Sequence, residues 1–277
     1  MPDKRTHRGP HPADAELFAP EMLPRLRQAV ADFSMLLTKG YADKSALKLV
    51  GDRFSLTQRQ RLAVMRSACS DRQRQSRLER EVPVEALAGR SIAIDGYNLL
   101  ITIEAALSGG LLFKGRDGCL RDLASIHGTY RKVEETIPAI EQIGDFLANL
   151  PDPTIEAEPH LHHGRNARDV EGPCRPAGKP CGTGIAHALW LLDSPVSNSG
   201  RLKTLIAQLA SDRGWPWEIR LTISPDAELR QMDTIPATTD SAILDACSHW
   251  ANLAMAIVQH RLPTARILDL APSSGSR

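Results

Sequence analysis

Three aspartates in this chain each close an apolar run: Asp95 ends "SIAID", Asp193 ends "ALWLLD" and Asp240 ends "IPATTD". A carboxylate at the mouth of a buried strand has two common uses. It caps the helix that follows, because Asp is a favoured N-cap residue. Alternatively, several meet at one edge of a parallel sheet, where the C-terminal strand ends face a shared crevice. Carboxylates packed together raise each other's pKa, so a cluster needs a bound cation or a shared proton. Oxygen donors without His or Cys suit Mg²⁺ or Mn²⁺. Such an ion serves phosphate chemistry, activating water and stabilising charge on the phosphoryl oxygens. Asp117 and Asp122 compete to supply a fourth acid, and Asp226 and Asp245 stand in reserve. Capping alone explains Asp240 or Asp117 equally well. Asp95 resists that account, because "GYNLL" after it keeps a strand-like texture and offers no clear helix start.

Other residues could hold an anionic substrate. Asn98 follows Asp95, and Ser197, Asn198, Ser199 and Gly200 lead into a helix with Arg201 and Lys203 in its first turn. Free amides at a helix start attract phosphate. Basic side chains there oppose the helix dipole, a small penalty that an anion relieves. Ordinary capping by Asn198 or Ser199 is the competing account. His127, Tyr130, Arg131 and Lys132 mix an aromatic ring with bases, as a nucleic-acid groove does and as a solvated helix face also does. Between Arg53 and Arg80, eight arginines oppose only Asp71 and Glu79, a local net charge of +6 inside a chain of net +1. Arg72 and Arg74 belong to this patch, which would attract a phosphate backbone.

These residues need elements to position them. Leu26, Ala29, Val30, Phe33, Leu36 and Leu37 recur at helical spacing, with Gly40 as a stop signal. A short helix from about Lys44 to Gly51 follows. Thr57 and Gln60 then form a capping box that opens a helix to about Ser70. After Val82-Pro83 the pattern changes to apolar runs alternating with amphipathic helices, as in a mostly parallel sheet with crossovers. Strands are expected at Ser91–Ile94, Ala188–Leu192, Glu218–Ile223, Thr234–Thr238 and Ala265–Leu268. Helices are expected at Asp117 to about Glu135, Ile137 to about Asn149, Gly200 to about Ser211 and Ser241 to about His260. The expected organisation is therefore a disordered N-terminus over 1–20, a basic helical domain over 21–81, an α/β domain over 82–270 and a disordered tail over 271–277. The α/β domain carries a mobile Pro/Gly-rich insertion over 151–184. His160, His162, His163, Cys174 and Cys181 in that insertion raise the thought of zinc. Their spacing fits no tight zinc knuckle, and a disordered His-rich loop accounts for them better.

At 277 residues and 42% hydrophobic, the chain can fill a sizeable core. Five scattered cysteines are not a disulfide framework and point to the reducing cytoplasm. Cys69, Cys119 and Cys247 fall in helical patterns and read as small buried residues. No apolar stretch reaches membrane-spanning length. A phosphate-binding P-loop and a G-x-S-x-G elbow are both missing, which argues against those two hydrolase classes.

"IAIDGYNLL", "LLD" and "ATTDSAIL", with an expected acidic helix between the first two, together resemble the PIN-like nuclease superfamily, whose members cut RNA or DNA at a metal-binding aspartate cluster. "LLTKGYADKSALKLVGDRFSLTQRQRLAVMRSA", "GRDGCLRDLASIHGTYRKVEET" and "DSPVSNSGRL" are more specifically similar to the domain of unknown function 434 family and its C-terminal domain of unknown function 5616. The resemblance implies a three-layer PIN-like α/β fold with a mostly parallel central sheet, preceded by a small all-helical domain. It implies metal-binding roles for Asp95, Asp193, Asp240 and one of Asp117 and Asp122, with Mg²⁺ or Mn²⁺ as cofactor. The expected partner is nucleic acid, RNA ahead of DNA, and no membrane. Two rivals stand beside the nuclease reading: a nucleic-acid binder that keeps the fold without a working metal site, and a phosphoesterase acting on small molecules.

Overall fold

The computed structural model describes residues 7–124, 128–150 and 184–272. The expected insertion with its His and Cys residues, and His127, lie outside the described residues.

Helices α1 (Asp14–Leu17), α2 (Leu23–Thr38), α3 (Asp43–Arg53), α4 (Gln58–Ser67) and α5 (Asp71–Arg80) come first. Helix α2 ends where Gly40 takes φ +82° and the Tyr41 amide reaches back to the Leu36 carbonyl, a left-handed stop that glycine makes without strain. The Thr57–Gln60 capping box opens α4 as expected, and a second box, Ser70–Gln73, opens α5. The stretch expected to be disordered is ordered from residue 7. Phe18 is buried in the helical core, and Asp14 is buried against Arg59 at 2.5 Å.

Next come β1 (Ser91–Asp95), α6 (Gly96–Leu107), β2 (Leu111–Lys114), β3 (Leu120–Arg121), α7 (Thr136–Ala148), β4 (His187–Asp193) and α8 (Ser199–Arg213). They are followed by β5 (Trp217–Thr222), α9 (Pro225–Leu229), β6 (Ile235–Ala237), α10 (Ser241–Leu244), α11 (Leu253–Arg261) and β7 (Arg266–Asp269). One sheet is parallel throughout, in the order β5-β4-β1-β6. Both its faces are covered, as parallel sheets require. Ile92, Ile94, Trp190 and Leu192 face the main core, while Ala93, Leu189 and Leu191 face a second layer of Leu229, Ile243, Leu244 and Trp250. A smaller sheet, β3-β2-β7, joins the antiparallel pair β2/β3 to parallel β7. Its Leu111 and Phe113 pack with Leu26, Val30, Phe33 and Val64 of the helical module, so one hydrophobic cluster spans that module and the smaller sheet.

Three expectations are corrected. The described residues of 117–135 form no helix: Asp117 and Gly118 turn the β2–β3 hairpin, with Gly118 at φ +77°, and residues 128–135 run outside any helix. An Asp-Gly pair between apolar runs is a strong hairpin signal, and here it outweighs the helical spacing. Conversely, "GYNLLITIEAAL" is a helix that starts directly at Gly96. It is buried on nearly every side, so its sequence is apolar all round and carries no readable period. Gly96 is required by close approach, because a Cβ there would lie 2.6 Å from Leu192 Cδ2 and 2.7 Å from the Leu191 carbonyl. The single helix expected over 241–260 is broken into α10 and α11, with a β-bridge from Ala251 to Ala237 between them.

Candidate active site

Strands β1 and β4 end on Asp95 and Asp193 in the same direction, and Asp240 lies three residues past β6, on the other side of β1. The parallel order thus delivers all three to one edge of the sheet. Asp95 sits at the N-cap position of α6, yet its side chain makes no capping bond. It is buried, and its Oδ2 accepts a hydrogen bond from the Thr238 hydroxyl at 2.8 Å. Among the described residues it has no salt-bridge partner. Burial pushes its pKa up to about 7; Asp240 and Asp226 add to the rise, and the Thr238 hydroxyl opposes it.

Asp226, held in reserve from the sequence, is an electrostatic neighbour of Asp95 and Asp193. It stands in the first turn of α9, after β5, in the same strand-end position as the others. Burial and the Asp240 charge raise its pKa, with Arg230 opposing at 3.9 Å. The pKa of Asp193 is raised by burial and by Asp226. The electrostatic neighbours at this rim are therefore Asp95, Asp193, Asp226 and Asp240. The signal for Asp226 was its place at the end of β5, hidden because Ser224 and Pro225 make it look like a simple helix start.

Asp240 also caps α10, its Oδ1 accepting from the Ala242 and Ile243 amides at 2.8 and 3.2 Å. Both uses foreseen for it, cap and rim, occur together. Asp117 is not at the start of a helix but in the hairpin turn. It is 1% exposed and held by Arg121 and Arg77 at 2.7 and 2.5 Å. Burial works to raise its pKa, but the two guanidiniums prevail and bring it down to about 2. Asp122 likewise stands after β3, not on a helix. It accepts from the Thr102 hydroxyl at 3.1 Å and the Ala124 amide at 2.6 Å, and Arg66 lies 3.6 Å away.

A cleft of about 510 Å³ opens beside Asp240, between the helical module and the α/β part. Arg66, Arg77 and Arg121 contribute basic groups to it, Phe33 and Tyr97 contribute aromatic rings, and Asn98 lies at its edge next to the rim. The Asn98 side chain is engaged, accepting from the Thr239 amide and hydroxyl at 3.0 and 2.9 Å.

The remaining substrate candidates divide. Asn198 takes a left-handed conformation at the start of α8 and does not cap it; its amide nitrogen donates to the Tyr130 carbonyl at 2.9 Å. Ser199 is buried on the Tyr97 hydroxyl at 2.7 Å, and Ser197 is bridged to Thr129. Arg201 and Lys203 are exposed, without partners among the described residues. Tyr130 is buried with its hydroxyl on Glu104, so it does not lie on a solvated face, and Arg131 is on a loop whose carbonyl accepts from Arg8 at 3.1 Å. Arg72 and Arg74 are exposed on α5 outside the cleft lining, Arg74 donating to the Arg116 carbonyl at 3.1 Å. Much of the basic patch thus ties the module to its own acids and to neighbouring carbonyls: Arg59 to Asp14, Arg61 to Asp52, and Arg80 to the Leu244 carbonyl.

Among the described residues no group of three or more His, Cys, Asp or Glu is arranged to hold a metal ion by itself. Mg²⁺ commonly uses one or two carboxylates and takes its other ligands from water and substrate phosphate. An oxygen-only donor set around the buried, unpaired Asp95 fits that mode and does not fit a closed protein cage. Cys69, Cys119 and Cys247 are buried free thiols, and burial raises that of Cys69 to about 11, so they are packing residues. Among the described residues no helix is long and apolar enough to cross a membrane.

Comparison with known proteins agrees with two segments of this chain. A family model described as Domain of unknown function (DUF5616) matches residues 84–155 and 181–256, and one described as Protein of unknown function (DUF434) matches residues 25–80. An uncharacterized protein of Methanocaldococcus jannaschii is 29% identical over 219 residues, covering 79% of this chain and 88% of that protein. No solved structure matches.

Proposed function

Taking as premise that the chain belongs to the family described as Domain of unknown function (DUF5616), we propose that it is a PIN-like nuclease, hydrolysing phosphodiester bonds of RNA ahead of DNA with Mg²⁺ or Mn²⁺. The observation that carries this reading is Asp95: a carboxylate buried at the end of a central parallel strand, with no cationic partner among the described residues and with Asp240 and Asp226 as electrostatic neighbours. Burying such a group costs several kcal/mol, roughly, unless something compensates it.

Asp95 with Asp240, Asp193 or Asp226 would hold the ion. A bound ion of this type supplies an activated water and offsets charge on the phosphoryl oxygens. The chain's own groups do the rest. Asp95, titrating near neutral pH, can hold or release a proton at its carboxylate oxygen. Arg201 and Lys203, exposed in the first turn of α8, attract phosphate, and the partly exposed guanidinium of Arg66 in the cleft lining adds a basic group for the flanking nucleotides. The buried free thiols agree with action in the reducing cytoplasm.

The second reading is a nucleic-acid binder without catalysis, favoured by the lack of a preformed three-acid group among the described residues. The test is cleavage of labelled single-stranded RNA and DNA in Mn²⁺ by wild type, Asp95→Asn and Asp193→Asn. Cleavage lost in both variants supports the nuclease. Binding without cleavage in wild type selects the second reading, and cleavage that persists in both variants points to a contaminant.

A further inference from the structure

Asp117 is gripped from two sides. Arg121 meets it with both arms, Nη1 at 3.0 Å from Oδ1 and Nη2 at 2.7 Å from Oδ2. Arg77, from α5 of the helical module, donates Nη1 to Oδ2 at 2.5 Å. A buried carboxylate with two guanidiniums is a poor source of net stability, because desolvation consumes most of the attraction. The remaining donors show what else the group does. Arg121 Nε donates to the Thr239 carbonyl at 2.8 Å, and Arg77 Nη2 to the Ser241 carbonyl at 3.4 Å. These are the carbonyls immediately before and after Asp240.

We infer that Asp117, Arg121 and Arg77 are positioning residues that set Asp240 at the acidic rim, and that the helical module completes the site of the α/β part through Arg77. The inference rests on the proposed reading of that rim as a phosphodiester-cleaving centre. Asp117 acts through the arginines and not on substrate. The other contacts of α5 converge on the same segment. Arg77 Nε donates to Asp245 at 2.9 Å, the Arg77 carbonyl accepts from the Trp250 indole at 2.8 Å, and Arg80 donates to the Leu244 carbonyl at 2.8 Å. The planar fork of Arg77 serves Asp117, Asp245 and Ser241 at once, a geometry a lysine cannot reproduce.

The test uses the full chain and compares Asp117→Asn, Arg121→Lys and Arg77→Lys with Leu26→Ala. Leu26 is fully buried in the helical core, so its truncation lowers stability away from the rim. One readout is amide exchange, well below each melting temperature, at Thr239 and Asp240, whose amides bond Asn98 Oδ1 and Thr238 Oγ1. The other is Mn²⁺-dependent cleavage of single-stranded RNA, separated into kcat and KM. Exchange at these two amides should rise about tenfold in the three site variants and stay unchanged in Leu26→Ala. The kcat should fall about tenfold or more with KM unchanged. Equal exchange in Asp117→Asn and Leu26→Ala overturns the inference, as does wild-type kcat in folded Asp117→Asn. If Asp117→Asn does not fold, Arg77→Lys, which keeps the buried positive charge, decides by the same two readouts. Faster exchange in the variants of a protein whose wild type cleaves nothing supports the positioning geometry and sinks the nuclease reading instead.

Discussion

The Thr238 hydroxyl donates to Asp95 Oδ2 at 2.8 Å, joining the residue that follows β6 to the residue that ends β1. No arginine or lysine among the described residues shares that carboxylate, so only neutral groups, the Thr238 hydroxyl first and the Asn98 backbone amide after it, stand against its burial and the charges of Asp240 and Asp226. Thr238→Val keeps the shape and removes the donor. The Asp95 pKa should then rise further above about 7, by an amount set by the loss of about 1 kcal/mol, read by carboxyl ¹³C NMR titration. An unchanged or lowered value would show that the hydroxyl does not stabilise the charged form.

Asp95 also sets a pH dependence of stability. Its folded pKa, about 7, lies above its ordinary value of 3.8, so the unfolded chain releases the proton first as pH rises. Stability therefore falls between about pH 4 and pH 7 and is level above that, by at most roughly 4 kcal/mol. Asp95→Asn removes the ionisation. It should be more stable than wild type at pH 8 and equal to it near pH 4, measured by urea denaturation.

Divalent ions should act in the opposite sense. Mn²⁺ binding the ionised rim would raise the melting temperature of wild type with increasing concentration, by the usual linkage of about 2.7 kcal/mol at a hundredfold excess over Kd. Asp95→Asn should show little or none of this rise. Equal rises in both proteins would place the ion elsewhere.

Asp117 behaves in reverse. Its pKa is depressed to about 2, so its contribution is present above pH 4 and is lost as pH falls from about 4 to 2. Asp117→Asn should cost about 3–5 kcal/mol at pH 7, because it leaves two buried guanidiniums short of their anion. The acid limb of its unfolding curve should be shallower than that of wild type.

Removing Arg201 and Lys203 together should weaken nucleic-acid binding uniformly across sequences. It should also reduce the slope of log affinity against log salt by about 1–2. An unchanged slope would remove both residues from the binding surface.

Local chemistry was readable along the chain. Thr57 and Gln60 announce a helix start because a capping box needs only neighbours. The unbroken apolar runs of "SIAID" and "ALWLLD" report strands because a parallel sheet buries both faces. Equally, Asp95, Asp193 and Asp240 were legible as strand-end acids. Other features depended on what lay opposite in space. Helix α6 lost its period because sheet and helices enclose it, and the 117–121 hairpin hid inside a helical spacing. Whether Asp117 faces the rim or two arginines, and whether Asp226 belongs with Asp95, was decided by which partners the strand order brings within a few ångströms. Electrostatic energy depends on distance and burial, and neither is a property of one residue or its immediate neighbours.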